Sequence, residues 1–267
     1  MGTKWTFCKT KCALWSIGLM LVSLSTLADA SEATPRSRAV AELEPLQVGI
    51  TLPVQMGRTL RAGKVKPGTV FVVETTQRVP VSETTYLNRG AKIRGEVVAS
   101  DAGDGTAAHP SKLAIRFTEL KYRGQTVPVE TRAIAVANLI EVGYTFLPTT
   151  GGADRGNASE ASWTTRQVGG DEVCRSGWVG DVDDTVMNKV GYANYYGVYS
   201  LPMKLQGSDV LVPRAMGVFS TTAEGLYGYD SKAQLESAGG LITVANPKKR
   251  SVIRGGDDLL LEVVADQ

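Results

Sequence analysis

One histidine, His109, and one cysteine beyond residue 30, Cys174, are all that this 267-residue chain offers there for thiol chemistry or soft metal ligation. A conventional zinc site takes four nitrogen or sulfur ligands, or three and a water, so it is excluded on arithmetic. A Cys174–His109 nucleophile pair is allowed by count. However, His109 stands in Asp101-Ala-Gly-Asp-Gly-Thr-Ala-Ala-His109-Pro110, a stretch without the apolar support that positions a general base. It reads as a solvent-exposed loop histidine.

Carboxylates are the next candidates. Asp181, Asp183 and Asp184 form the densest acidic cluster. Its ordinary reading is a solvated turn or a helix start, since Asp is a preferred cap. The sharper readings are a calcium site, which takes six to eight oxygens, or part of a carboxylate pair that hydrolyses glycosides. The Asp101–Gly105 loop has a superficial likeness to calcium loops, but Lys112 falls where a closing glutamate would stand. The chain has no Gly-x-Ser-x-Gly elbow, no phosphate-cradling Gly-x-x-x-x-Gly-Lys-Ser/Thr and no dinucleotide glycine fingerprint. No cofactor is expected.

The most distinctive cluster is aromatic: Tyr192-Ala-Asn-Tyr195-Tyr196-Gly-Val-Tyr199, with Trp178 upstream. On a helix the four tyrosines would share one face, and on a strand they would divide between two. Gly191 and Gly197 make a long helix costly, so strand or loop is expected. Tyrosine offers flat apolar surface with a polar tip, which suits glycan or protein binding. The competing reading is that the rings cover a β-core.

Where these residues act is set by the first thirty positions. Lys4, Lys9 and Lys11 precede an apolar run from Ala13 to Leu24 and the small residues Ala28-Asp29-Ala30, the layout of a secretory signal peptide cleaved after Ala30. Twelve apolar residues fall short of the roughly 20 that span a bilayer as a helix. Lys-Thr-Lys before Cys12 does not fit lipoprotein processing. Removing residues 1–30 takes away three lysines and Asp29, so the 29 basic and 27 acidic residues of the chain become 26 and 26. A neutral chain lacks the cationic excess that nucleic acid requires. Cys8 and Cys12 leave with the signal, and Cys174 remains without an intrachain partner. It is expected to be a small buried hydrophobe, with pairing to another chain as the alternative.

The elements that must position these groups read as β-strands, after a flexible leader over residues 31–45. Leu113, Ile115 and Phe117 alternate with Ala114 and Arg116, and Val127 and Val129 alternate with Pro128 and Glu130. Gly124 between the two runs marks a hairpin. Glycines precede apolar strands at Gly68, Gly90 and Gly256, at irregular spacing, which favours a small barrel or sandwich over a solenoid. The expected fold is all-β: a barrel-like domain over residues 46–140, a linker or long loop over 141–162, and a second β-rich region over 163–267. Its last strand, Leu259 to Val264, is a candidate to close the first sheet, in which case residues 141–240 would be an insertion.

The runs Leu60-Arg-Ala-Gly-Lys-Val-Lys-Pro-Gly68, Leu87-Asn-Arg-Gly-Ala-Lys-Ile-Arg-Gly-Glu-Val97, Ser111-Lys-Leu-Ala-Ile-Arg-Phe117 and Val127-Pro-Val129 resemble a group of uncharacterised secreted bacterial β-proteins, over residues 46–138. The usual Gly-Asp pair of that group is Gly68-Thr69 here. More distantly, the region is similar to the β-barrel of the TrbI-type component of conjugative secretion channels. The resemblance implies a fold and carries over no catalytic residue.

The expected protein is therefore an exported, non-enzymatic envelope protein with a binding or structural role, placed in the periplasm, at the outer membrane or outside the cell. Its partner would be an envelope protein or a glycan, and the mature chain would hold no transmembrane helix. The alternatives are a secreted carboxylate-dependent glycan hydrolase and a subunit of a secretion-channel-like ring. The candidate binding residues are Trp178, Tyr192, Tyr195, Tyr196 and Tyr199.

Overall fold

A computed structural model describes residues 45–151 and 162–265. The signal-peptide layout, nearly all of the expected leader, and residues 152–161 of the expected linker lie outside the described residues. The described residues form one compact unit.

The first stretch of chain supplies β1 (Thr51–Met56), β2 (Leu60–Arg61), β3 (Val70–Thr75), β4 (Val79–Pro80) and β5 (Tyr86–Leu87). It continues with β6 (Lys92–Asp101), β7 (Ser111–Tyr122), β8 (Gln125–Pro128) and β9 (Thr131–Ala137). A short helix, α1 (Leu139–Tyr144), follows, then a meander of β10 (Pro148–Gly151), β11 (Ser162–Arg166), β12 (Glu172–Ser176) and β13 (Val179–Asp183). The meander ends with β14 (Lys189–Asn194), β15 (Gly197–Lys204) and β16 (Leu211–Ala215). The chain then returns through β17 (Gly225–Tyr227), β18 (Gln234–Ala238), β19 (Leu241–Asn246), β20 (Val252–Ile253) and β21 (Asp258–Val263).

The protein is nearly all β, built on an almost closed barrel-like sheet with further sheets beside it. The strand order of the barrel is β17-β9-β21-β1-β3-β6-β7-β19-β18, with β8 also paired to β7. All these pairs are antiparallel except β17 with β9. The path nearly closes: β18, at one end, reaches β9, the strand next to the other end, where the Ala133 N–H donates to Ser237 Oγ at 2.9 Å. The last strand lies inside this sheet, between β1 and β9. The barrel thus uses residues from both ends of the described chain, and the meander of β10 to β16, in simple chain order, is inserted between them. Residues 141–151, expected as linker, hold the end of α1 and strand β10. The Asn138 side chain accepts from the Ile140 and Glu141 N–H groups and so starts the helix, and β10 ends in antiparallel pairing with β11.

Burial along each strand explains its sequence. On β3, Phe71, Val73 and Thr75 point inward and Val70, Val72 and Glu74 outward, the alternation of a strand wetted on one side. β1 and β21 are buried on both faces. Their inner residues, Leu52, Val54, Met56, Leu259 and Leu261, join Ile93, Ile115 and Phe117 in the barrel core. The opposite face of β21, with Leu260, packs instead with Ala135 and Ala137 of β9 and with Val173, Val182 and Val198 of the meander. The meander is therefore a second layer over one side of the barrel. Within the barrel, Phe71 meets Phe117 edge-on at 5.7 Å. Gly95 lies opposite Phe71 in the register, and a Cβ there would stand 2.5 Å from Phe71 Cζ, so only glycine leaves room for the ring.

Among the described residues, no helix is long and apolar enough to cross a membrane.

Candidate functional site

The hairpin of β14 and β15 is fastened to the barrel by buried polar contacts. Gln77, between β3 and β4, donates through Nε2 to the Val198 carbonyl at 2.9 Å and accepts from the Gly217 N–H at 2.9 Å. The Tyr199 hydroxyl donates to the Arg78 carbonyl, and Thr51 Oγ1 to the Ala215 carbonyl, each at 2.8 Å. Gly197 permits this approach: its φ is +134°, and a Cβ there would lie 2.3 Å from Gln77 Oε1.

Beside this attachment the two layers part to form a cleft of about 1030 Å³, at the upper end of the usual range for small-molecule sites. One wall comes from the barrel, with Gln55, Arg78, Asn88, Arg89 and Asp258. The other comes from the meander, with Trp163, Gln167, Arg175, Trp178, Asn194, Tyr195 and Tyr196, and α1 adds Val142, Thr145 and Phe146 at one end. Trp178, beyond the end of β12, stacks on Tyr195 in the β14–β15 turn, with ring centroids 5.2 Å apart and 17° between planes. The two rings are 67 % and 72 % exposed. Offset stacking of two nearly parallel rings gives a broad apolar surface in a wet setting. The Arg78 guanidinium lies between two further rings, 3.9 Å from the Tyr86 centroid and 4.8 Å from that of Tyr196.

Three polar groups complete the cleft. Asp258 is 3 % exposed and accepts from Gln55 Nε2 at 3.0 Å, the two residues being register partners on β1 and β21. Burial pushes its carboxyl up to about 7, the Gln55 hydrogen bond offsetting part of the shift and Asp257 adding to it. Gln167 is 5 % exposed; its Nε2 donates to the Phe219 carbonyl at 2.8 Å, while its Oε1 has no hydrogen-bond partner. Arg78 Nε is likewise buried and without a partner. A polar atom left so costs about 1–3 kcal/mol.

The five aromatic residues singled out in the sequence divide. Trp178, Tyr195 and Tyr196 line the cleft, whereas Tyr192 and Tyr199 face each other across the hairpin, stacked at 5.4 Å, and pack on the barrel core. Burial raises the pKa of both phenols. Cys174 is half-buried on β12, on a separate shallow hollow shared with Asp181, Asp183 and Tyr192. Burial, then the Asp183 carboxylate beside it, pushes its thiol up to about 11, so the thiolate needed for attack is scarce at neutral pH. Asp181 pairs with Lys189 at 2.6 Å. Asp184 closes a turn by accepting from the Val186 and Asn188 N–H groups. Among the described residues, no group of three or more His, Cys, Asp or Glu is placed to hold a metal ion. His109 is exposed, with Nε2 2.8 Å from Asp101 Oδ2, and that hydrogen bond raises its pKa.

Sequence reading missed Asp258, Gln167 and the arginines of the cleft. Asp258 did leave a signal: in Asp257-Asp258-Leu-Leu-Leu, two acids open an apolar strand, and alternation must send one of them into a covered face. No protein family matches the chain, and neither a curated protein nor a solved structure matches it.

Proposed function

We propose that this is an exported, non-enzymatic binding module of the bacterial cell envelope, and that a glycan is the ligand of the cleft between barrel and meander. The observation that carries this is the stacked Trp178–Tyr195 pair at the cleft mouth. Its rings serve no core, and a flat apolar face beside side-chain amides is what a sugar ring presents its C–H face and hydroxyls to. Export rests on the layout of the first thirty residues. Glycoside hydrolysis needs two carboxyl groups roughly 5–9.5 Å apart. Asp258 is the one carboxyl among the described residues that line the cleft, and Asp181 and Asp183 lie on another hollow.

The test is titration of the mature chain with neutral and acidic tetrasaccharides, followed by tryptophan fluorescence. Saturable quenching that disappears in Trp178→Ala and weakens in Tyr195→Ala, with no release of new reducing ends, is the expected result. Turnover of any of these sugars would favour the hydrolase, and a flat titration with all of them would reject a glycan ligand.

A further inference from the structure

Resting on the glycan reading, we infer that the cleft selects a glycan bearing an anionic group, a carboxylate or a phosphate, gripped by Arg78 and Arg175. Three guanidinium groups, those of Arg78, Arg89 and Arg175, line the cleft against the single carboxyl of Asp258. None of the three has an ion-pair partner among the described residues, whereas Arg94, Arg116, Arg132, Arg166 and Arg214 each have one. Arg78 is held in place between the Tyr86 and Tyr196 rings, so its planar fork is preorganised. Its buried Nε lacks an acceptor. Arg175 stands opposite Trp163 and Gly180 in the strand register, with no acid beside it to neutralise its charge. A ligand that suits these arginines presents an anionic acceptor to their guanidinium groups. An acidic or phosphorylated sugar carries that anion together with the C–H face that the Trp178–Tyr195 pair suits.

The experiment is calorimetric titration of the mature chain with three probes of equal length: cellotetraose, tetragalacturonic acid and a singly phosphorylated tetraglucoside. At least one charged probe should bind about tenfold or more tightly than the neutral one, the value of one charge-assisted contact, and the advantage should shrink as salt is raised. Preference between the two charged probes identifies the anion. In Arg175→Gln the charged-to-neutral ratio should fall toward one while circular dichroism stays unchanged. Arg78→Lys, which keeps the charge and loses the fork, should lower the ratio in part. Trp178→Ala should weaken every probe alike. Equal affinity for neutral and charged probes, or an unchanged ratio in Arg175→Gln, overturns the inference and leaves the glycan reading standing. Binding of none of the three removes both.

Discussion

The outer wall of the barrel and the seam between barrel and meander use arginine in different ways. Across β3, β6 and β7 the register sets Glu74 against Lys92, Arg94 against Glu119 and Glu96 against Arg116, so both arginines of this wall are neutralised from a neighbouring strand. The meander pairs some charges too, as in Arg166 with Glu172. At the cleft, however, it places Arg175 opposite a tryptophan and a glycine, and the barrel segment facing it offers Arg78 between two tyrosines. The arginines of the wall are answered within their own sheet, and those of the seam are not. A charge whose partner is supplied by its own sheet is architecture, whereas one left facing a groove is available to something else.

The strongest way to probe this contrast is through Asp258, a barrel residue whose surroundings depend on the meander. Its carboxyl moves from an ordinary 3.8 to about 7 on folding. A raised acid pKa means that the folded state holds the proton more tightly, so the contribution of Asp258 to stability is full below about pH 4 and is lost as pH rises toward 7. The whole shift corresponds to an upper limit on the order of 4 kcal/mol. Urea denaturation of wild type across this range should show that decline, and Asp258→Asn should flatten it; parallel profiles for the two proteins would separate Asp258 from the effect. Next in size, Gly95→Leu drives a side chain into the Phe71 ring and should cost the barrel about 3 kcal/mol, read as a lower urea midpoint. Gly197→Val strikes at the seam alone. It should cost about 2 kcal/mol, with faster amide exchange confined to β14, β15 and their neighbours and the Asp258 pKa relaxing toward its ordinary value. Uniformly faster exchange would mean that the two layers unfold together. The smallest effect is expected at the exposed pair: Arg116→Ala should change stability by less than about 1 kcal/mol and leave ligand titrations unchanged.

What could be read in the sequence follows the same division. Strands wetted on one side declare themselves by alternation, as in Leu113, Ile115 and Phe117, and the Gly124 turn joins β7 to β8 in the register the pattern implies. Helix α1 was missed because six residues are too few for a 3.6-residue period, although Asn138 before Leu139 is a cap residue in plain sight. The cleft was only partly visible. Trp178, Tyr195 and Tyr196 stood out by residue type, but Tyr192 and Tyr199 looked the same and are half-buried and core residues. Their difference arises from the barrel surface under the hairpin, which no local spacing encodes. Gln55, Arg78, Gln167 and Asp258 come together from four distant parts of the chain, and each alone looks ordinary.

The seating of β21 between β1 and β9 bears on the order of events during synthesis. The barrel has a missing stave until residue 263 has been made, and β1, completed some two hundred residues earlier, must wait with its buried edge unpaired. A growing chain of this kind stays unclosed and snaps shut only when its tail arrives. Truncation of even the final strand should therefore leave a chain that chaperones hold and proteases remove.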